Sequence, residues 1–118
     1  MDVRSEVADG LAVYRIAGRI DGLTSQDLET AVGPALSGET PRIIFDMREV
    51  TFISSAGLRV IVMTAKRAAA AEGGLSIFGV QSAVNEVFEI SGLQKFIPIA
   101  SDETEARSKL GSREGHQP

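Results

Sequence analysis

The order of elements in this sequence predicts an α/β domain: a mixed, mostly parallel β-sheet of about five strands, opening with an N-terminal hairpin and packed with about four α-helices. Two observations carry that expectation. The turn dipeptide Asp9-Gly10 separates two short apolar segments near the start, which is hairpin chemistry. From Thr24 onward, segments with helical apolar spacing alternate with compact apolar runs, a pattern that builds parallel strands layered with helices. The chain has 118 residues, 43% of them hydrophobic, enough for one domain with its own core. There are no internal repeats and no interior linker, so residues 1–110 read as one domain and the polar segment 111–118 as a disordered tail.

The first strand is expected over Val3–Val7 and the second over Leu11–Ile16, with Gly18-Arg19-Ile20-Asp21-Gly22 closing the hairpin and leading out of the sheet. Thr24 then opens a helix, with Asp27 three residues on in a capping-box arrangement. Leu28, Ala31, Val32, Ala35 and Leu36 recur at helical spacing. Pro34 lacks a backbone donor and is expected to kink or shorten that helix, which Gly38 and Pro41 end. Arg42–Met47 is a compact apolar run suited to a central strand covered on both faces, followed by a loop.

A second helix begins after Phe52-Ile53-Ser54-Ser55-Ala56-Gly57, with Leu58, Ile61, Val62, Ala65 and Ala69 as its expected buried stripe. Lys66 and Arg67 fall where cations complement the negative end of the helix dipole, and Gly73-Gly74 stops it. Leu75–Val80 is the next strand. Ser82 is placed to cap a third helix bearing Val84, Val87 and Phe88, ending near Ser91-Gly92. Phe96–Ile99 reads as a last short strand, held to a sheet edge by Pro98, and 102–110 as a terminal helix.

Composition excludes several functions. Cysteine is absent, which removes disulfides and cysteine-ligated metals. The formal charge is −4, with no tryptophan and one tyrosine, so neither the basic face nor the stacking platforms of a nucleic-acid binder are present. The N-terminus has no basic start or apolar run, and no apolar stretch approaches the roughly 20 residues of a membrane span. The expectation is a soluble cytoplasmic protein without direct membrane insertion. A serine hydrolase would need a Gly-x-Ser-x-Gly elbow and a histidine base. Ile53 stands where the first glycine would be, and the only histidine, His116, lies in the tail. The phosphate-cradling glycine motifs are missing and the acidic residues have no metal-ligand spacing, so no enzyme activity, cofactor or metal is expected.

The informative segment is Ser54-Ser55-Ala56-Gly57-Leu58. Serine at such a boundary is first of all a helix cap. Here, however, the pair sits in a strand-to-helix connection of an α/β sheet, where sites cluster, and Ala56 and Gly57 leave little bulk beside the hydroxyls. A phosphoryl group at that place would carry about −1.5 to −2 charges and would meet free N–H groups and the positive end of a helix dipole.

Phe52 to Ile61 resembles the signature of the STAS domain, anti-sigma-factor antagonist family, in which the segment reads aromatic, apolar, Asp, Ser, small residue, Gly, Leu. Gly18-Arg19-Ile20-Asp21 is similar to that family's Gly-x-Leu/Ile-Asp, Asp46 closes the third strand as in relatives, and Ser82 to Phe88 with Ser91-Gly92-Leu93 resembles the third helix and its exit. The resemblance covers roughly residues 3 to 107. It implies that Ser55 is phosphorylated by a serine kinase that is itself an anti-sigma factor, with Ser54 as the alternative acceptor. It further implies that the unmodified form binds that kinase and releases a sigma factor, and that a serine phosphatase restores it. Asp21, Thr24, Ser54, Ser55, Gly57 and Arg59 are the partner-contact residues it points to. This sequence departs from the pattern at Ser54, where many phosphorylated relatives carry Asp. A constitutive interaction or scaffold subunit of a signalling or transporter-associated complex, without phosphorylation, is the alternative reading.

Overall fold

In the computed structural model, residues 1–110 are described, and the expected tail at 111–118 lies outside them. The elements run β1 (Asp2–Ala8), β2 (Leu11–Ile20), α1 (Thr24–Leu36), β3 (Arg42–Ile53), α2 (Ser55–Ala70), β4 (Gly74–Phe78), α3 (Ser82–Ser91), a 3-10 turn (Leu93–Lys95), β5 (Ile99–Ala100) and α4 (Glu103–Leu110). The five strands form one sheet in the order β1-β2-β3-β4-β5. Only β1 and β2 pair antiparallel; the other neighbours are parallel. The sequence-predicted mixed, mostly parallel sheet with a leading hairpin is what the structure contains.

Each face of the sheet has its own cover. Leu28 and Val32 of α1, Val60, Ile61 and Ala68 of α2 and Val84 and Phe88 of α3 share one core with Tyr14, Phe45 and Ile77. The opposite face packs Leu11, Val13, Ile44 and Phe78 against Ala106 of α4. Alternation along each strand explains the division, since successive side chains point to opposite faces. The buried Ser76 hydroxyl donates to the Ala106 carbonyl at 2.8 Å, fixing α4 to β4.

Beyond the reach of α4, that second face is closed by charge. Asp46 is 4% exposed. Its carboxylate accepts from Arg48 Nη2 at 2.8 Å, Arg48 Nε at 3.0 Å, the Arg48 N–H at 3.1 Å and Arg15 Nη1 at 3.0 Å. Arg15 also binds Glu6 of β1 at 3.0 Å and Glu103 of α4 at 3.2 Å. Burial pushes the Asp46 carboxyl up, but the hydrogen bonds from Arg48 and Arg15 outweigh it and hold it below the usual carboxylate range.

Several boundaries differ from the sequence reading, each for an identifiable reason. β2 and β3 run to Ile20 and Ile53 rather than stopping at Ile16 and Met47. Beyond Arg15 and Asp46 they pair as Ala17 with Glu49, Gly18 with Val50, Arg19 with Phe52 and Ile20 with Ile53. β3 carries one extra residue at each of two register shifts, and Gly18 sits at the second with φ +98°, a conformation that suits glycine. The expected loop is therefore a strand, and the charged Arg48-Glu49 pair that looked like loop is its solvent edge.

The α1 capping box with Asp27 is replaced by an upstream cap from Asp21, described below. The helix passes Pro34 and ends two residues later, because a missing donor in the last turn removes little. The buried face of α2 is Gly57, Val60, Ile61, Thr64 and Ala68, one residue round from the expected stripe. Thr64 can be buried because its hydroxyl donates to the Val60 carbonyl at 2.8 Å; Ala69 is exposed. Gln81, not Ser82, holds the cap position of α3, with no side-chain cap bond. The last strand shortens to Ile99–Ala100, because Leu93–Lys95 coils into a 3-10 turn and Pro98 contributes only its carbonyl, accepting from Ile77 N–H at 3.0 Å.

Asp46→Ala is expected to destabilise the domain at neutral pH by about 2 kcal/mol, below the about 3–5 kcal/mol of a fully buried pair, because Arg48 is 63% exposed. A carboxyl whose pKa is depressed on folding contributes stability above its unfolded pKa and loses it as pH falls through the folded value. Urea titrations of parent and variant should therefore differ most at neutral pH, with the difference starting to shrink near about pH 4 and narrowing further as pH falls through the lower folded value. A difference that persisted or grew in acid would contradict this account of the cluster.

Candidate functional site

The lengthened ends of β2 and β3 carry two chain reversals side by side at the carboxyl edge of the sheet, where α/β proteins place their sites. The two are tied together. The Ser54 N–H donates to the Ile20 carbonyl at 2.9 Å. The first turn of α2 then lies directly on β2: a Cβ on Gly57 would stand 2.8 Å from both Ile20 Cγ2 and Ile53 Cγ1 and 3.0 Å from the Ile20 carbonyl oxygen. Only a residue without a side chain permits that approach.

The reversal after β2 is held by Asp21 and Thr24. One carboxylate oxygen of Asp21 accepts the Thr24 N–H at 3.0 Å and the Leu23 N–H at 3.1 Å. In return, the Asp21 N–H donates to Thr24 Oγ1 at 2.8 Å. The Thr24 hydroxyl proton has the Arg19 carbonyl at 2.8 Å and the Asp21 carboxylate at 3.0 Å as acceptors. The Thr24 N–H and then its hydroxyl hold the Asp21 carboxyl below its ordinary range. Asp21 thus caps α1 from outside the helix, as a structural residue steering the chain into it.

The two serines differ. Ser54 is the N-cap of α2, in an extended conformation (φ −95°, ψ 175°), and its hydroxyl accepts from the Gly57 N–H at 3.2 Å. Ser55 is the first helical residue and is exposed, and its hydroxyl has no hydrogen-bond partner among the described residues. Arg59 follows one turn later and is exposed. At a spacing of four residues, its side chain and that of Ser55 are neighbours on the helix surface.

The site also contains residues that the sequence reading did not single out. The Arg19 guanidinium stacks over Phe52 at 4.1 Å from the ring centre. The two are cross-strand partners, and Phe52 keeps 38% of its surface exposed. Leu23, between Asp21 and Thr24, is 76% exposed. The edge that carries Ser55 therefore presents exposed apolar groups and the Arg19 cation beside the Asp21 carboxylate. Arg19 and Phe52 stand 33 positions apart, and only the continuation of β2 and β3 past Ile16 and Met47 brings them together.

Among the described residues, no group of three or more His, Cys, Asp or Glu could hold a metal ion, and no helix is long and apolar enough to cross a membrane. The expected contact residues Asp21, Thr24, Ser54, Ser55, Gly57 and Arg59 all fall within the two reversals and the first turns of α2.

Residues 2–106 match the family model for the STAS domain. BtrV of Bordetella bronchiseptica, which carries the name of an anti-sigma factor antagonist, is 30% identical over 101 residues, covering 86% of this chain and 87% of its own. The crystal structure of an anti-sigma factor antagonist from Mycobacterium paratuberculosis superposes with a TM-score of 0.84 at 24% identity, covering 94% of each chain. SpoIIAA, a Bacillus cell fate determinant solved in its phosphorylated form, superposes with a TM-score of 0.71 at 22% identity, covering 92% of this chain and 99% of its own. These likenesses at under 25% identity concern the fold.

Gly57→Ala is expected to cost about 1–3 kcal/mol by overpacking the Ile20–Ile53 junction. Ser54→Ala should cost about 1 kcal/mol through loss of the cap. Chemical denaturation of both variants checks this, and a Gly57→Ala protein as stable as the parent would refute the close-approach account.

Proposed function

This chain belongs to the STAS domain family, and from that premise we propose that it is an anti-sigma-factor antagonist. In this reading the unmodified protein binds an anti-sigma factor that is also a serine kinase and so frees a sigma factor. Phosphorylation of Ser55 turns that binding off, and a serine phosphatase restores it. The protein acts in the cytoplasm, where ATP is supplied to the kinase.

The observation that carries the proposal is the unequal state of the two serines. The Ser54 hydroxyl is spent on the Gly57 N–H, whereas Ser55 is exposed at the first position of α2. A kinase can reach the second without undoing the helix cap. Phosphate there adds about −1.5 to −2 charges at the end of a 16-residue helix where negative charge is favoured. Arg59, four residues on, is placed to pair with it. The fold is thus left in place while the rim formed by Leu23, Phe52 and Arg19 gains an anionic neighbour. A partner that buries apolar surface there would have to desolvate that charge. BtrV supports the reading through its name, and SpoIIAA supports it as a relative of the same fold solved in a phosphorylated form.

The test is incubation with the cognate kinase and labelled ATP, followed by site mapping. One phosphate on Ser55 is expected, absent in Ser55→Ala and retained in Ser54→Ala. Ser55→Ala should still bind the kinase, and Ser55→Asp should weaken binding only part of the way, having less charge and fewer acceptor oxygens. No incorporation, together with a stable partner bound by parent and both Ser55 variants alike, would replace the switch with the constitutive-subunit reading.

Arg59 makes a separate prediction. By favouring the dianion it should lower the second pKa of the phosphoserine, which lies near about 6 unperturbed. Phosphorus NMR titration of phosphorylated Arg59→Ala should then show a higher value than the phosphorylated parent. Equal values would remove Arg59 from the site.

A further inference from the structure

α2 is apolar on more than the face it buries. Beside the row turned to the sheet, Leu58, Val62, Ala65 and Ala69 form a second row at spacings of four, three and four residues. Leu58, Val62 and Ala65 pack one side against the core, but the lower part of the row opens to solvent. Val62, Ala65 and Ala69 line a trough of about 350 Å³ with Lys66 and Phe96. A second hollow of about 250 Å³ shares Ala65, Ala69 and Phe96 with it and continues to Pro98, Leu110 and Lys109. Phe96, which forms one wall, is 58% exposed, and aromatic residues, Phe among them, are enriched at protein interfaces.

The charge of this trough is opposite to that of the chain. Its lining contributes two ammonium groups, Lys66 from α2 and Lys109 from α4, and no carboxylate, whereas the whole chain has 16 acidic against 12 basic residues. An apolar floor with a cationic rim selects a partner segment that is apolar and acidic together. The trough is too open to enclose a small ligand, which is typically buried over about 70–90% of its surface. Two lysines also fall short of the four or so that mark an anionic-lipid site.

We infer that this trough is a second docking surface, which takes an acidic segment of a partner protein. That segment seats an aliphatic or aromatic side chain against Phe96, Ala65 and Ala69 and brings carboxylates to Lys66 and Lys109. Ser55 and Ala69 lie 14 residues apart on α2, roughly 20 Å at about 1.5 Å per residue. The nearest residue lining the trough, Val62, is seven residues from Ser55, roughly 10 Å along the helix, so the surface is distinct from the serine site.

The test uses the full chain, labelled with nitrogen-15, and a synthetic peptide of about 15 residues with Leu and Phe at helical anchor spacing and Glu elsewhere. A control peptide replaces every Glu by Lys. The acidic peptide should shift the amide signals of Val62, Lys66, Ala69 and Phe96, and its binding should weaken as ionic strength rises toward about 1 M. Phe96→Ser should weaken it roughly tenfold, and the double variant Lys66→Glu, Lys109→Glu should reverse the preference between the peptides. The inference is overturned if both peptides bind the parent equally, or if the shifts cluster away from the trough. It is equally overturned if these amides shift with protein concentration alone, which would indicate a second copy, or if they show contacts to residues 111–118.

Discussion

The site depends on one close approach, that of Gly57 to Ile20 and Ile53. A strand end, a second strand end and the first turn of a helix meet there with no room for a methyl group, and the Ser54 N–H to Ile20 carbonyl bond fastens the same junction. Everything exposed at this edge hangs from it. The Asp21–Thr24 turn starts one residue after Ile20, and Ser55 starts one residue after the cap. Because both reversals share a buried fulcrum, neither can move far without opening the core. A change of charge at Ser55 is consequently written on the surface rather than absorbed by rearrangement, since packed junctions resist continuous deformation.

The opposite face of the sheet has a different logic. There the strands present charge where α4 gives out, and Asp46 gathers Arg15 and Arg48 around one buried carboxylate. Through Arg15 the cluster reaches β1 and α4 as well, by Glu6 and Glu103. Replacing such a buried ion cluster by well-packed apolar residues of equal volume is often neutral or stabilising. The cluster does tie four elements, β1, β2, β3 and α4, to one point, so the short α4, whose only fully buried residue is Ala106, is held by polar bonds as much as by packing.

The sequence made the element order, the Asp9-Gly10 hairpin, the Ser54-Ser55 pair and the Gly92 stop legible, because each rests on local chemistry. Gly92 has φ +75° at the end of α3, the left-handed conformation in which a glycine commonly ends a helix. What failed were judgements that needed tertiary partners. α2 carries apolar side chains on two faces, and periodicity alone favours Leu58, Ile61, Val62, Ala65 and Ala69, of which Ile61 is buried and Leu58, Val62 and Ala65 are half-buried. The fold instead turns Gly57, Thr64 and Ala68 inward with Val60 and Ile61, because small residues let the helix approach the sheet and Thr64 satisfies its own hydroxyl. The reach of β3 past Met47 was hidden by Arg48 and Glu49, whose charge resembles loop chemistry but sits on an exposed strand edge. With that reach hidden, the Arg19–Phe52 stack beside the serines could not be seen either.

Ser54 shows why a departure from the family pattern at a site is best read by the role it keeps. Asp and Ser cap helices about equally well, and Ser54 does so here through Gly57. Replacing Asp by Ser therefore preserves the geometry of the first turn of α2 and removes one negative charge from it. In the proposed switch that difference acts twice. A phosphate on Ser55 has no carboxylate on the residue before it, so the like-charge repulsion that an Asp at position 54 would add, raising the second pKa, is removed. The edge also passes from no charge at the two serines to about two negative charges in one step, a larger relative change than an edge already carrying Asp would undergo. Arg59 stands one turn along the helix, Arg19 is stacked on Phe52 nearby, and Asp21 supplies one carboxylate at the adjoining turn, so the unmodified surface carries two cations, one anion and exposed apolar groups. In the proposed switch the phosphate moves that balance toward negative while the apolar groups stay in place. The neutrality of Ser54 therefore widens the contrast between the two states of the proposed switch: it keeps the cap without supplying in advance the charge that a phosphate on Ser55 would add.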